Sequence, residues 1–305
     1  MASILEERKV LNNGVEMPMM GFGTWQMTNE SAAVAVRQAI EAGYRLIDTA
    51  AFYNVEEGVG QGIRDSGIPR EELFVTTKVW PTMIYQDRVE EALEGSLKRL
   101  GLDYVDMCLL HWPVNYVEGW KKMEQLYKAG RVRAIGVSNM RVKQLMTLMD
   151  NTEIIPAFIQ IECNPLVSQY EIRALCEYKG IAVGGWQSLG SGAQGGVLNN
   201  EIIMAIAEKH GKSTAQVALR WAYQNGVITV PKTVTPARMA QNADIMDFAL
   251  TPEDMAQIGS LPQLPRYDTE IADVPVRIME QVKRGVCFAE KGYAGNLTVD
   301  FYKDK

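Results

Sequence analysis

The sequence predicts an α/β protein folded as a (β/α)8, or TIM, barrel with an N-terminal β-hairpin cap and a C-terminal tail. Three observations point there. Eight short apolar runs of strand length recur along the chain. Stretches of helical periodicity separate them. Cap and stop residues stand where strand and helix should meet. Eight strands with eight crossovers favour a closed barrel over an open sheet. No linker-like stretch and no internal repeat interrupts the pattern, so residues 1–305 are expected to form one domain.

The elements follow in order. Asn13-Gly14, between Val10 and Met17, is a two-residue hairpin signal and predicts the cap. The barrel strands are predicted at Met19–Gly23, Arg45–Thr49, Leu73–Val79, Tyr104–His111, Arg133–Ser138, Ala157–Glu162, Ile181–Trp186 and Val227–Pro231. Helical periodicity is clearest over Ala32–Ala42, Arg88–Leu100, Glu118–Ala129, Tyr170–Lys179 and Thr214–Gln224. Ser168 with Glu171 and Ser213 with Gln216 have capping-box spacing. Thr235-Pro236 and Thr251-Pro252 set a cap residue before a proline at the first helical position. Gly43, Gly130, Gly180 and Gly226 stand where helices should stop. After about Leu261 a tail with prolines at 262, 265 and 275 runs to Lys305, with room for one more helix near Val276–Arg284.

Composition narrows the function classes. Hydrophobic residues are 47% and charged residues 22% of the chain, which allows an ordinary folded core. The net charge of -6 comes without a block of like charge, so no nucleic-acid partner is expected. Cys108, Cys163, Cys176 and Cys287 form no Cys-x-x-Cys pair, and there are only two histidines, so no metal site is expected. The N-terminus lacks an apolar signal core and no segment has membrane length. Scattered cysteines suit a reducing compartment. A cytoplasmic monomer without membrane partners is the expectation, with the sequon Asn296-Leu-Thr298 silent.

Four residues carry candidate chemistry. Asp48 ends the second barrel strand and Tyr53 follows it, Lys78 ends the third strand, and His111 ends the fourth. Singly, each has a plain structural reading: a turn cap, a packed ring, a solvated charge, a core histidine. Together they fall on one face, because the C-terminal ends of barrel strands converge there. Reducing a carbonyl needs a hydride on carbon and a proton on oxygen. An unperturbed phenol, with pKa near 10, donates poorly at neutral pH. An adjacent ammonium would lower that pKa. Lys78 can supply the cation, Asp48 can hold Lys78, and His111 can fix the direction of the carbonyl oxygen. No Ser-His-Asp set and no metal-water ligand set is present.

Gly21-Phe-Gly-Thr-Trp25, Asp48-Thr-Ala-Ala-Phe-Tyr53, Lys78-Val-Trp80, His111-Trp-Pro113 and Gly136-Val-Ser-Asn139 occur in this order. The set resembles the aldo-keto reductase superfamily from about residue 10 to residue 260. Each motif alone is weak, but the ordered set is specific. The resemblance implies a (β/α)8 barrel, NADPH (NADP+) as cofactor, and reversible reduction of a small-molecule carbonyl substrate. It implies Tyr53 as general acid, Asp48 and Lys78 as its tuners, and His111 as substrate orienter.

The resemblance also implies the cofactor site. Gly23 and Thr24 lie in the first motif. Ser138, Asn139 and Gln160 would hold the nicotinamide amide, although Ser138 could equally be a helix N-cap. Trp186 would stack on the nicotinamide ring, with a plain core tryptophan as the alternative. Gly190-Ser-Gly192-Ala-Gln-Gly195 fits a G-x-G-x-x-G string but follows the seventh strand, so a Rossmann reading is rejected. A loop covering the pyrophosphate is implied instead, with Leu189 among its contacts. The family often has Ser-Pro-Leu-Gly where this chain has Gln187-Ser-Leu-Gly190, and losing the proline is expected to loosen the loop. Lys232, Thr233, Arg238, Gln241 and Asn242 would hold the 2′-phosphate and adenine at a helix N-terminus. Ordinary helix solvation is their other reading. NADPH is therefore expected to be preferred over NADH.

Trp25, Trp80 and Trp112 each follow a strand end and would give an apolar substrate wall, or simple packing. The short first loop resembles microbial, diketogluconate-reductase-like members, and the tail is implied to lie over the barrel mouth. A small aldehyde, a dicarbonyl or a keto-sugar acid fits. The alternative function is a cofactor-binding regulatory subunit with little turnover. A barrel retained only as structure is a further one, against which the intact four-residue set argues.

Overall fold

The computed structural model describes residues 3–190 and 196–264. The predicted tail over the mouth, its helix near 276–284, Cys287 and residues 191–195 of the seventh loop lie outside the described residues.

β1 (Arg8–Val10) and β2 (Glu16–Pro18) form the predicted antiparallel hairpin. Its loop is wider than the two residues expected. Leu11 N–H donates to Val15 O at 2.9 Å, and Gly14 takes φ 83°, a left-handed conformation that costs a glycine little. Asn12 Nδ2 donates to Pro156 O and Asn13 Nδ2 to Arg133 O, both at 3.0 Å. Both carbonyls lie at the N-terminal ends of barrel strands, so the hairpin seals the end away from the strand C-termini.

The barrel strands are β3 (Phe22–Gly23), β4 (Leu46–Asp48), β5 (Phe74–Val79), β6 (Val105–Leu110), β7 (Val132–Ser138), β8 (Phe158–Glu162), β9 (Ala182–Trp186) and β10 (Val227–Thr229). They pair in chain order, all parallel. The edges meet: Gly21 N–H donates to Thr229 O at 2.8 Å, Thr229 N–H to Met19 O at 3.1 Å, and Gly23 N–H to Pro231 O at 3.2 Å. These bonds close the sheet. The first strand is shorter than the predicted Met19–Gly23, because Met19 to Gly21 bond to Thr229 as an isolated bridge. All residues of β5 and β6 are buried, as befits parallel strands covered on both faces.

Helices ring the sheet: α1 (Asn29–Glu41), α2 (Glu56–Asp65), α3 (Pro81–Tyr85), α4 (Val89–Leu100), α5 (Tyr116–Lys128), α6 (Val142–Asp150), α7 (Tyr170–Lys179), α8 (Glu201–His210), α9 (Thr214–Gln224), α10 (Pro236–Ala243) and α11 (Pro252–Gly259). α7 and α9 have the predicted bounds. The capping boxes at Ser213 and Thr251 form, the latter with Asp254. Two expected caps do not. Ser168 is drawn away, its N–H donating to Gln263 Oε1 at 2.7 Å, and Gln169 takes the N-cap position of α7 at φ 54°. Thr235 precedes Pro236 as predicted but makes no side-chain cap bond. The alternative reading of Ser138 as an N-cap also fails, since Arg141 opens α6.

α2 lies unusually close to α4. A Cβ on Gly60 would meet Leu100 O at 1.9 Å, so only glycine allows this approach. α2 directly follows the 3-10 turn Ala51–Tyr53, which ends at Asn54 in the left-handed region, φ 56°.

Candidate active site

Because every barrel strand runs the same way, the ends of β4, β5 and β6 bring Asp48, Tyr53, Lys78 and His111 to one rim. Lys78 Nζ donates to Asp48 Oδ1 at 2.7 Å, to Thr49 O at 2.8 Å and to Tyr53 OH at 3.3 Å. The other Asp48 oxygen, Oδ2, accepts from Gln160 Nε2 at 2.9 Å across the barrel. The Tyr53 and His111 rings stand edge to face with centroids 5.8 Å apart. The four predicted residues thus meet.

Burial and charge set their protonation. Burial is the largest influence on Lys78 and pulls its pKa down, but Asp48 and Tyr53 outweigh it, so the net shift is upward and the ammonium persists. Burial is also the largest influence on Tyr53. It pushes the phenol up, Lys78 pulls it down, and the net direction is up. This corrects the expectation that the ammonium lowers the phenol below its ordinary value: Lys78 only offsets part of the desolvation. Tyr53 is therefore a protonated hydroxyl at neutral pH. Burial, reinforced by the Lys78 charge, holds His111 well below the ordinary imidazole range, so it is neutral. His111 Nδ1 is buried with no hydrogen-bond partner among the described residues.

An aromatic wall stands beside the four. The Phe52 ring lies flat on Trp80 at 3.8 Å between centroids and stacks on Trp25 at 5.9 Å. Trp25 reaches Tyr53 at 4.8 Å, and Trp80 meets His111 edge-on at 5.2 Å. Trp112 stacks beside His111 at 6.4 Å. Trp25 is 40% exposed at the rim while Trp80 is only 2% exposed, so Trp80 backs the wall rather than facing the mouth.

The remaining predicted residues spread over the same rim. Gly23 ends β3, and a Cβ there would meet Val230 O at 2.5 Å. Thr24 is buried, its Oγ1 donating to Asp48 O at 3.0 Å. Ser138 pairs with Gln160 across β7 and β8, and its Oγ donates to Gln160 O at 2.9 Å. Asn139, at φ 60°, donates from Nδ2 to His111 O at 3.0 Å and accepts at Oδ1 from Trp186 Nε1 at 2.9 Å. Leu189 is half-buried in the loop after β9. Lys232, Arg238 and Gln241 are exposed, while Thr233 and Asn242 are buried. Neither Lys232 nor Arg238 has an ion-pair partner among the described residues.

Two features escaped sequence reasoning. Phe52 stood inside a motif without an assigned role, since nothing in the chain order says which rings will stack. The sequence points to Gln160 only through the cofactor, whereas its bond to Asp48 spans the barrel. Among the described residues no group of three or more His, Cys, Asp or Glu could hold a metal ion. Burial pushes the Cys108, Cys163 and Cys176 thiols up to about 12, so they stay neutral. No described helix is long and apolar enough to cross a membrane.

The rim of this closed (β/α)8 barrel gathers a carboxylate, an ammonium, a phenol and a neutral imidazole, groups able to hold and pass a proton. The family model of the aldo/keto reductase family matches residues 19–262. The glyoxal reductase of Bacillus subtilis is 47% identical over 264 residues, 86% of this chain and 95% of that protein. The structure of an aldo/keto reductase from Brucella melitensis superposes with TM-score 0.80 at 41% identity, covering 85% of this chain and 98% of that one. A Bombyx mori aldo-keto reductase, solved in complex with NADP, gives TM-score 0.79 at 39% identity, covering 83% and 92%. The chain belongs to the aldo/keto reductase family and is an oxidoreductase.

Proposed function

We propose that this protein reduces aldehydes and ketones to alcohols reversibly with NADPH, using Tyr53 as the general acid. The observation that carries the reading is the bonded chain from Asp48 through Lys78 to Tyr53. The phenol holds its proton until negative charge builds on the carbonyl oxygen, and the Lys78 cation then stabilises the phenolate left behind. Asp48 keeps Lys78 charged and directed. His111, neutral, has one N–H to donate and can fix the carbonyl oxygen toward Tyr53.

The residues present fit NADPH. When bound, it supplies the hydride. Lys232 and Arg238 are cations without carboxylate partners among the described residues, at the start of α10, whose N-cap makes no side-chain bond, so an anion is favoured there. They would hold the 2′-phosphate, with Thr233, Gln241 and Asn242 nearby for the adenine side. Gln160 Nε2 is committed to Asp48, and no donor meets its Oε1 among the described residues, which suits a carboxamide N–H. Ser138 and Asn139 would complete that grip, and Trp186 would stack on the ring. The absent side chain of Gly23 and the small Thr24 allow close approach on the opposite side, with Leu189 covering.

Trp25 and Trp112, backed by Trp80, would wall the substrate. The relative's glyoxal activity supports a small carbonyl compound as substrate. A single-domain cytoplasmic monomer remains our reading. The test is NADPH oxidation against glyoxal and a panel of aldehydes and ketones. The wild type should turn over, and Tyr53→Phe should lose about 100-fold or more in kcat. Full turnover in the variant would remove Tyr53 as the acid. Absence of wild-type turnover with retained NADPH binding would favour a regulatory role instead.

A further inference from the structure

The loops after the first four barrel strands, residues 24–28, 49–55, 80–88 and 112–115, contain no Asp, Glu, Lys or Arg except Asp87 and Arg88, which lie directly ahead of α4. The loops after β8 and β9, residues 163–169 and 187–200, contain none either. Among the described residues three cations occur in the rim loops. Arg88, just ahead of α4, and Arg141 are engaged by partners within the protein, and Lys232 follows β10 on the side proposed for the cofactor. Inside the rim Lys78 is neutralised by Asp48 at 2.7 Å, and Glu162 at the end of β8 is an acid, not an anchor for one. What stands beside Tyr53 and His111 is the stack of Trp25, Phe52 and Trp80.

We propose that this pocket selects uncharged carbonyl compounds and rejects those carrying a carboxylate, and that Phe52 is the residue that sets the selection. The inference rests on the reductase reading above and names its substrate class.

The physical reason is desolvation without compensation. A carboxylate leaving water needs a cation or several donors, and an isolated one is strongly disfavoured in an apolar setting. Aromatic faces carry negative charge density at their centres and do not replace those partners. Phe52 matters most because it is the middle ring of the stack. It is half-exposed, is adjacent to Tyr53 in the 3-10 turn, and has an edge-to-face contact with His111 at 6.4 Å. Among the described residues this ring and its two neighbours stand closest in the wall beside Tyr53. The neutral imidazole adds no positive charge to the pocket.

The test is a pair matched in shape: 4-carboxybenzaldehyde and its primary amide, 4-formylbenzamide, each reduced by the wild-type enzyme with saturating NADPH at neutral pH. The amide should show at least a tenfold higher kcat/KM, roughly the effect of one lost charge-assisted hydrogen bond. Phe52→Arg should narrow that ratio severalfold by raising the acid's kcat/KM, while a merely structural Phe52 would lower both substrates alike. Equal or better use of the acid by the wild type would overturn the inference while leaving the reductase reading standing. Failure to reduce either compound, or any aldehyde of the panel, would sink the reductase reading and the inference with it. Should Phe52→Arg not fold, Phe52→Gln provides the same comparison: a neutral donor in place of the ring should also narrow the ratio, and an unchanged ratio would remove Phe52 as its cause.

Discussion

His111 is buried, neutral and unbonded at Nδ1, and these three facts have a consequence for stability. Its pKa in the folded protein lies well below the ordinary 6.5. As pH falls through 6.5, the unfolded chain takes up the proton first. The stability this residue contributes is thus present above about pH 6.5 and declines below it, by up to about 1.4 kcal/mol per pH unit. Urea midpoints should fall between pH 7.5 and 5.5, and His111→Gln should show a shallower fall. Parallel slopes would remove His111 as the source. At this scale the sequence was informative because Asp48, Tyr53, Lys78 and His111 each sit at or just after a strand end. Side-chain bonds between distant strands, such as Gln160 to Asp48, have no local signal, and the net upward shift of Tyr53 depends on burial that only the fold reveals.

The element that positions Tyr53, the proposed acid, is the turn Ala51–Tyr53 running into α2. α2 is locked against α4 by the approach of Gly60 to Leu100. Gly60→Ala adds a methyl group where backbone oxygen would lie 1.9 Å away, so one helix must move. We expect a loss of about 1–3 kcal/mol, read from denaturant midpoints, since this is overpacking against a rigid neighbour. We also expect lower kcat, because the displaced helix begins just after Tyr53. Unchanged stability would mean the helices can separate freely. Elements with strong periodicity and caps, such as α7 and α9, were legible to the residue. The first strand was not: its length depends on the bridge to Thr229 from the opposite end of the barrel sequence. The cap expected at Ser168 was lost to a tertiary bond with Gln263.

For the whole molecule, cofactor binding and stability are linked, because a ligand that binds only the folded state raises its stability with concentration. NADPH at 100 times its dissociation constant should add about 2.7 kcal/mol and raise Tm measurably. The Lys232→Met, Arg238→Met double variant should lose most of the NADPH-induced Tm shift and keep the smaller NADH-induced one. Equal losses for both nucleotides would reject a 2′-phosphate role. The barrel was legible as a whole because alternating strand and helix signals leave few ways to bury eight apolar runs. The pairing of its first and last strands was implied by that count, not read from either strand.

That seam also dictates an order of events on the ribosome. Domains fold as the chain emerges from the N-terminus. Met20 cannot meet its partner until Thr229 has been made, so one flank of the growing sheet must stay unpaired through most of synthesis. An unpaired strand edge invites pairing with other chains. The waiting strand is only Phe22–Gly23, and its brevity gives a neighbouring nascent chain very little to zip onto.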